Sequence, residues 1–178
     1  YRALTWWALH GDGVPSHCQL EISTDPDNPR VLVGSQDVTT EIRGPEVTDS
    51  VSKIASDHDV RRVAVELQRA AIAGALNGIV VEGRDITTVV APDADVRIFL
   101  TADLSARELR RAAEFQDPEV AARMRSTVAA RDAIDTTRAH SPLMQAEGVA
   151  TVDATYMTLD EVIAEVRNII EKTIEKDA

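Results

Sequence analysis

Gly78-Ile79-Val80-Val81-Glu82-Gly83-Arg84-Asp85 is the stretch from which the fold is read. A short apolar run closed by turn-forming residues predicts a strand buried on both faces. Gly83 permits a tight backbone at its end. Two similar runs follow, Val96–Leu100 and Val149–Val152. Helical patterns separate them: one from about Ser105, one over Asp117–Arg131, and an amphipathic one over Thr158–Glu175 with Thr158 and Glu161 at capping-box spacing. Strands alternating with helices predict an α/β fold whose parallel sheet is covered by helices on both faces. Ligands of such folds sit at the carboxyl ends of strands, which singles out Glu82, Arg84 and Asp85. Two carboxylates and a guanidinium there suit a charged ligand or a metal-bound water. They equally suit an ion pair that closes the strand end.

Upstream, Tyr1–Leu9 predicts the body of a helix, stopped by His10-Gly11-Asp12-Gly13. Gln19–Ser23 alternates apolar and polar, and Thr24–Pro29 is a turn cluster. Arg30–Val33 reads as a strand, Gly34-Ser35 as a two-residue hairpin turn, and Asp37–Ile42 as a strand pairing back. This is a small antiparallel insert, separate from the main sheet. Pro45–Ser56 and Asp59–Ala73 predict two helices.

The 178 residues suffice for one domain with a sizeable core and a smaller insert. The net charge of −11 argues against duplex nucleic acid or an anionic membrane as a partner. No apolar run is long enough to span a bilayer and no signal-like segment opens the chain. Cys18 stands alone, so no internal disulfide forms, which suits a cytoplasmic location. His10, His17, His58 and His140 have no metal-site spacing. Of the 19 basic residues only Lys53, Lys172 and Lys176 are lysines. The rest are arginines, the residue for bidentate recognition of phosphate and carboxylate. Arg107, Arg110, Arg111, Arg123, Arg125, Arg131 and Arg138 crowd one stretch.

If helical, Arg131, Asp135 and Arg138 stand at i, i+4 and i+7 on one face. Two guanidinium forks around an acceptor suit a ligand with both phosphate and hydroxyl or amine groups; the alternative is an intrahelical salt-bridge ladder. Arg107, Arg110 and Arg111 at i, i+3 and i+4 repel one another, an arrangement easier to understand with an anion nearby. Alone, Ser52 reads as a turn or surface serine, and Arg61 beside Arg62 as a solvated charge.

Taken in order, Tyr1-Arg2-Ala3, Val51-Ser52-Lys53, Val60-Arg61, Val81-Glu82-Gly83-Arg84-Asp85, Pro92–Leu100, Arg131–Arg138 and Ser141-Pro142-Leu143 resemble bacterial cytidylate kinases. The resemblance runs over nearly the whole chain. It implies a P-loop-type core over 1–14 and 78–178, a nucleoside-monophosphate-binding insert over 15–77 and a short lid over 104–130. It implies transfer of a phosphoryl group from ATP to CMP or dCMP, with Mg²⁺ bridging the ATP phosphates, in a monomeric cytoplasmic enzyme. By position, Arg61, Asp85 and Arg138 face the cytosine; Ser52, Arg131 and Asp135 hold the sugar hydroxyls; and Arg2 and Arg84 clamp the acceptor phosphate. Arg107, Arg110 and Arg111 resemble lid arginines on the ATP side. Arg84, Arg131 and Arg110 are the residues expected to act on the transferring group.

The family's phosphate loop, G-x-x-x-x-G-K-[ST], does not occur in these residues. It is expected to precede Tyr1, with one strand and one helix. Gly13–Cys18 and Glu114–Asp117 are shorter than the family pattern, and His58 stands where the family often has proline. The alternatives are a truncated or degenerate nucleotide-binding module without catalysis, and a kinase of this architecture with another acceptor.

The octet Arg131–Arg138 gives the first test. Asp135→Ala should weaken CMP binding by roughly 1–3 kcal/mol, the worth of a charged hydrogen-bond acceptor. Calorimetry measures it, and unchanged affinity would mean that the octet is only a salt-bridge ladder.

Overall fold

A computed structural model describes residues 1–114, 116–122, 125, 128 and 147–177. They fall into two compact units, Tyr1–Val81 and Glu82–Ala178.

The first unit opens with helix α1, Arg2–His10, which buries Ala3, Leu4, Thr5 and Trp6. It ends at Gly11, whose N–H donates to the Trp7 carbonyl at 2.7 Å. A Cβ on Gly11 would stand 2.6 Å from the Trp7 ring, so only glycine fits this close approach. The short connection that follows is closed by its own side chains. The indole Nε1 of Trp7 donates to the Val14 carbonyl at 3.0 Å, and the Asp12 carboxylate meets His17 Nδ1 at 2.7 Å.

Three short strands come next: β1 (Leu20–Ile22), β2 (Val31–Val33) and β3 (Gln36–Asp37), antiparallel in that order. The pairing of Val33 with Gln36 leaves Gly34-Ser35 as the hairpin turn, with Gly34 at φ +58°. The expected strand over Asp37–Ile42 is corrected to two residues. The Asp37 carboxylate accepts the Thr39 N–H at 3.0 Å and its hydroxyl at 2.6 Å. A side chain that takes the next backbone donors draws the chain out of the ladder. A 3₁₀ turn, Glu41–Arg43, follows.

Helix α2, Pro45–Ile54, starts on a proline, whose missing N–H costs nothing in a first turn. Helix α3, His58–Gly74, is capped by Asp57, whose carboxylate accepts from the Asp59 and Val60 amides at 2.9 and 3.0 Å. Leu4, Trp6, Val33, Val38, Val47, Val60 and Val63 form one buried cluster that binds these elements together.

Gly78–Val81 is not a strand, which corrects the expectation. A strand exists only where a neighbour supplies ladder partners, and among the described residues none pairs with it. Val80 is 95% exposed, the opposite of a run buried on both faces. Glu82–Asp85 therefore does not lie at a strand end. It leads instead into a π-helical turn, Ile86–Val90, where the Asp85 carbonyl accepts from Val89 at 2.9 Å and Val90 at 3.3 Å.

The second unit carries the expected parallel pairing. Strand β4 (Ile98–Thr101) pairs with β5 (Ala150–Asp153), Ile98 opposite Ala150 and Thr101 opposite Asp153. Helix α4 covers Leu104–Ala113. Helical residues 118–122 begin at Asp117, whose carboxylate accepts the Glu119 N–H at 2.8 Å. Helix α5, Leu159–Asp177, opens with the expected capping box: Thr158 N–H donates to Glu161 at 2.7 Å and Glu161 N–H to the Thr158 hydroxyl at 3.3 Å. The chain is thus mixed α/β with parallel strands. No helix among the described residues is long and apolar enough to cross a membrane.

Asp37 offers a test of the insert. The Thr39 hydroxyl and N–H, then Arg30, hold its carboxyl down at about 2. The folded value lies below the unfolded one of about 4, so its stabilisation is present above pH 4 and is lost as pH falls through 2. The stability gap between wild type and Asp37→Asn in urea titrations should close over that window; a gap that does not change with pH contradicts the assignment.

Candidate functional site

In the first unit, two guanidinium groups grip helix α2 near its ends. Arg2 Nη1, on α1, donates to the Ile42 carbonyl at 2.9 Å and to the Thr48 hydroxyl at 3.0 Å. Arg61 Nη1, on α3, donates to the Ala55 carbonyl at 3.2 Å, at the C-cap of α2. The Arg61 guanidinium also lies over the Tyr1 ring at 5.5 Å, a cation–π contact. Arg61 is only 5% exposed, so it is a buried charge held by acceptors and an aromatic face. Ser52 stands one turn beyond Thr48 on the same face of α2, half-buried. The structure therefore gathers Arg2, Ser52 and Arg61 around one helix, although the sequence spreads them over 60 positions.

In the second unit, Arg84 is exposed while Asp85 beside it is 4% exposed. A carboxylate that far out of water is kept only with partners, and its own carbonyl starts the π-turn. Such turns recur at functional sites because the extra residue re-aims what precedes it. A Cβ on Gly83 would come within 2.9 Å of the Ile86 side chain, so the glycine lets this turn close.

The α4 arginines differ in what they reach. Arg107 Nε donates to the Ala102 carbonyl at 2.8 Å, and Arg111 pairs with Glu114. Arg110 Nη2 instead donates to the Ala154 carbonyl and, at 3.1 Å, to that of Met157. The sequence reading missed the receiving turn. There the Asp153 carboxylate accepts the Thr155 hydroxyl at 2.6 Å and its N–H at 3.0 Å. These two bonds hold the Asp153 carboxyl below its ordinary range. The signal was available: Asp153-Ala154-Thr155 repeats the Asp-x-Thr spacing of Asp37-Val38-Thr39.

Arg131, Asp135 and Arg138 lie outside the described residues, as does Ser141-Pro142-Leu143. Among the described residues, no three His, Cys, Asp or Glu side chains group so as to hold a metal ion.

The family model for cytidylate kinase matches residues 1–172. The chain belongs to the cytidylate kinase family. It is 40% identical to the cytidylate kinase of Streptomyces avermitilis over 182 residues, covering 97% of this chain and 78% of that protein. It is 42% identical to that of Streptomyces griseus, covering 96% of this chain and 78% of the relative. With that of Lactiplantibacillus plantarum the identity is 41%, covering 97% and 80%. Every expected site residue falls inside the matched span.

Arg61→Met removes the donor that the Ala55 carbonyl receives at the end of α2. The loss should lower stability by about 1.5–3 kcal/mol in urea denaturation, the range for a hydrogen bond from a charged group. Arg61→Lys should recover part of it. No loss in either variant would mean that Arg61 does not hold the helices.

Proposed function

We propose that the chain is a nucleoside monophosphate kinase that transfers the γ-phosphoryl of ATP to CMP or dCMP, giving CDP or dCDP. The observation that carries this reading is the family match over residues 1–172, with relatives named cytidylate kinase across the same span. Residues 15–77 act as the nucleotide-binding insert and residues 104–130 as the lid over ATP. Arg61, Asp85 and Arg138 read the cytosine. A carboxylate accepts from the exocyclic amine, and guanidinium donors meet the ring acceptors. Ser52, Arg131 and Asp135 hold the sugar, while Arg2 and Arg84 hold the acceptor phosphate. The proximity of Arg2 to α2, the helix that carries Ser52, supports the sugar and phosphate assignments.

The attacking atom is a phosphate oxygen already ionised at neutral pH. No strong general base is needed. Catalysis is alignment of the two nucleotides plus electrostatic stabilisation of the transferring group. Arg84, Arg131 and the α4 arginines Arg107 and Arg111 contribute fixed positive charge to that end. Mg²⁺ bound together with ATP would supply neutralisation of the phosphate charge. This fits a metal that keeps most of its own waters and takes few protein ligands. No step requires a second copy of the chain, and a cytoplasmic monomer is the form proposed.

An ATP-coupled assay of the purified protein should show turnover with CMP and dCMP; binding of CMP without turnover would overturn the kinase reading. Asp85→Ala should lose roughly ten- to a hundredfold of the kcat/KM preference for CMP over UMP, as a buried recognition group does when removed. Selectivity equal to wild type would show that Asp85 does not read the base.

A further inference from the structure

Arg107, Arg110 and Arg111 share one helix, yet their bonds differ in reach. Arg107 Nε donates to the nearby Ala102 carbonyl, and Arg111 pairs with Glu114 one turn on. Arg110 donates across the unit, to carbonyls 44 and 47 residues away. Nη2 carries two hydrogens, one for each carbonyl.

The turn it meets is tied by further bonds. Met157 N–H donates to the Ala154 carbonyl at 3.2 Å, and Asp153 fixes Thr155 as described. The Thr155 hydroxyl in turn accepts the Asp103 N–H at 2.9 Å, at the N-cap of α4. Helix α4 is thus moored twice to the turn after β5: at its start through Asp103 and Thr155, and two turns along through Arg110. Both moorings lie beyond the carboxyl ends of the parallel strands, where α/β folds place their ligands.

We infer that Arg110 is a positioning residue: its Nη2, shared by two carbonyls of the Ala154–Met157 turn, fixes the pose of α4, from which Arg107 and Arg111 serve ATP, and the side chain does not act on the transferring phosphoryl. This rests on the kinase reading above. Thr155 does the same work from the other end of the helix.

The test compares Arg110→Met, Thr155→Val and Thr155→Ser in the full-length enzyme, with melting temperatures recorded to confirm folding. Arg110→Met and Thr155→Val should each raise KM for ATP by about tenfold while kcat stays within about twofold and KM for CMP does not move. Thr155→Ser, which keeps the hydroxyl, should behave as wild type. A fall in kcat of about a hundredfold in Arg110→Met with Thr155→Val unaffected would place Arg110 on the phosphoryl group and overturn the inference. Unchanged kinetics in both would overturn it too. Amide hydrogen exchange gives a readout that does not need turnover: exchange should rise over Asp103–Ala113 in both Arg110→Met and Thr155→Val. Wild-type protein with no CMP turnover would refute the kinase reading, and the exchange data would still decide the anchor: unchanged exchange overturns it, raised exchange supports it.

Discussion

A guanidinium cannot lose its protons at any ordinary pH, so a buried one must be surrounded by acceptors or it will not stay buried. In this chain that demand organises the first unit. Arg61 is 5% exposed, and it answers the demand with the carbonyl that ends α2 and the face of Tyr1. Arg2 answers it at the other end of α2 with the Ile42 carbonyl and the Thr48 hydroxyl. Three helices are held by the same two charges that the kinase reading assigns to a nucleotide. Holding and recognising are compatible because a guanidinium has five N–H donors in a fixed fork. Some of them anchor the side chain, and under the kinase reading the anchored plane would make recognition selective.

The second unit solves the equivalent problem with carbonyls and hydroxyls. The ends of strands release backbone groups that no longer have ladder partners. After β5 those groups are taken up by Arg110 and by the Asp153 carboxylate, and after β4 the Asp103 N–H is taken up by the Thr155 hydroxyl. The same Asp-x-Thr device ends β3 in the first unit. Its polar bonds are local, and after β5 the turn it closes is the one that receives Arg110 of α4.

Much of this was legible in the sequence, and the exceptions have physical reasons. The apolar runs behind β4 and β5 announced strands to within two residues, and the Thr158–Glu161 spacing announced the start of α5. Gly78–Val81 has the same composition but is not a strand, because pairing belongs to the neighbour as much as to the run. Asp37–Ile42 failed for a local reason, the competing carboxylate of Asp37. At the candidate site the residue types were visible through ordered motifs, while their anchors were not. No spacing in the sequence connects Arg110 to Ala154, or Arg2 to Ile42. Contacts of that range depend on how elements pack, which a one-dimensional pattern does not carry.

The central claim is that residues distant along the chain read one pyrimidine nucleotide. A crystal structure of the enzyme with CMP tests it most directly. The account predicts the cytosine ring within hydrogen-bond distance of Arg61, Asp85 and Arg138, with the sugar against Ser52 and Asp135. A base bound out of reach of Asp85 and Arg61 would contradict it.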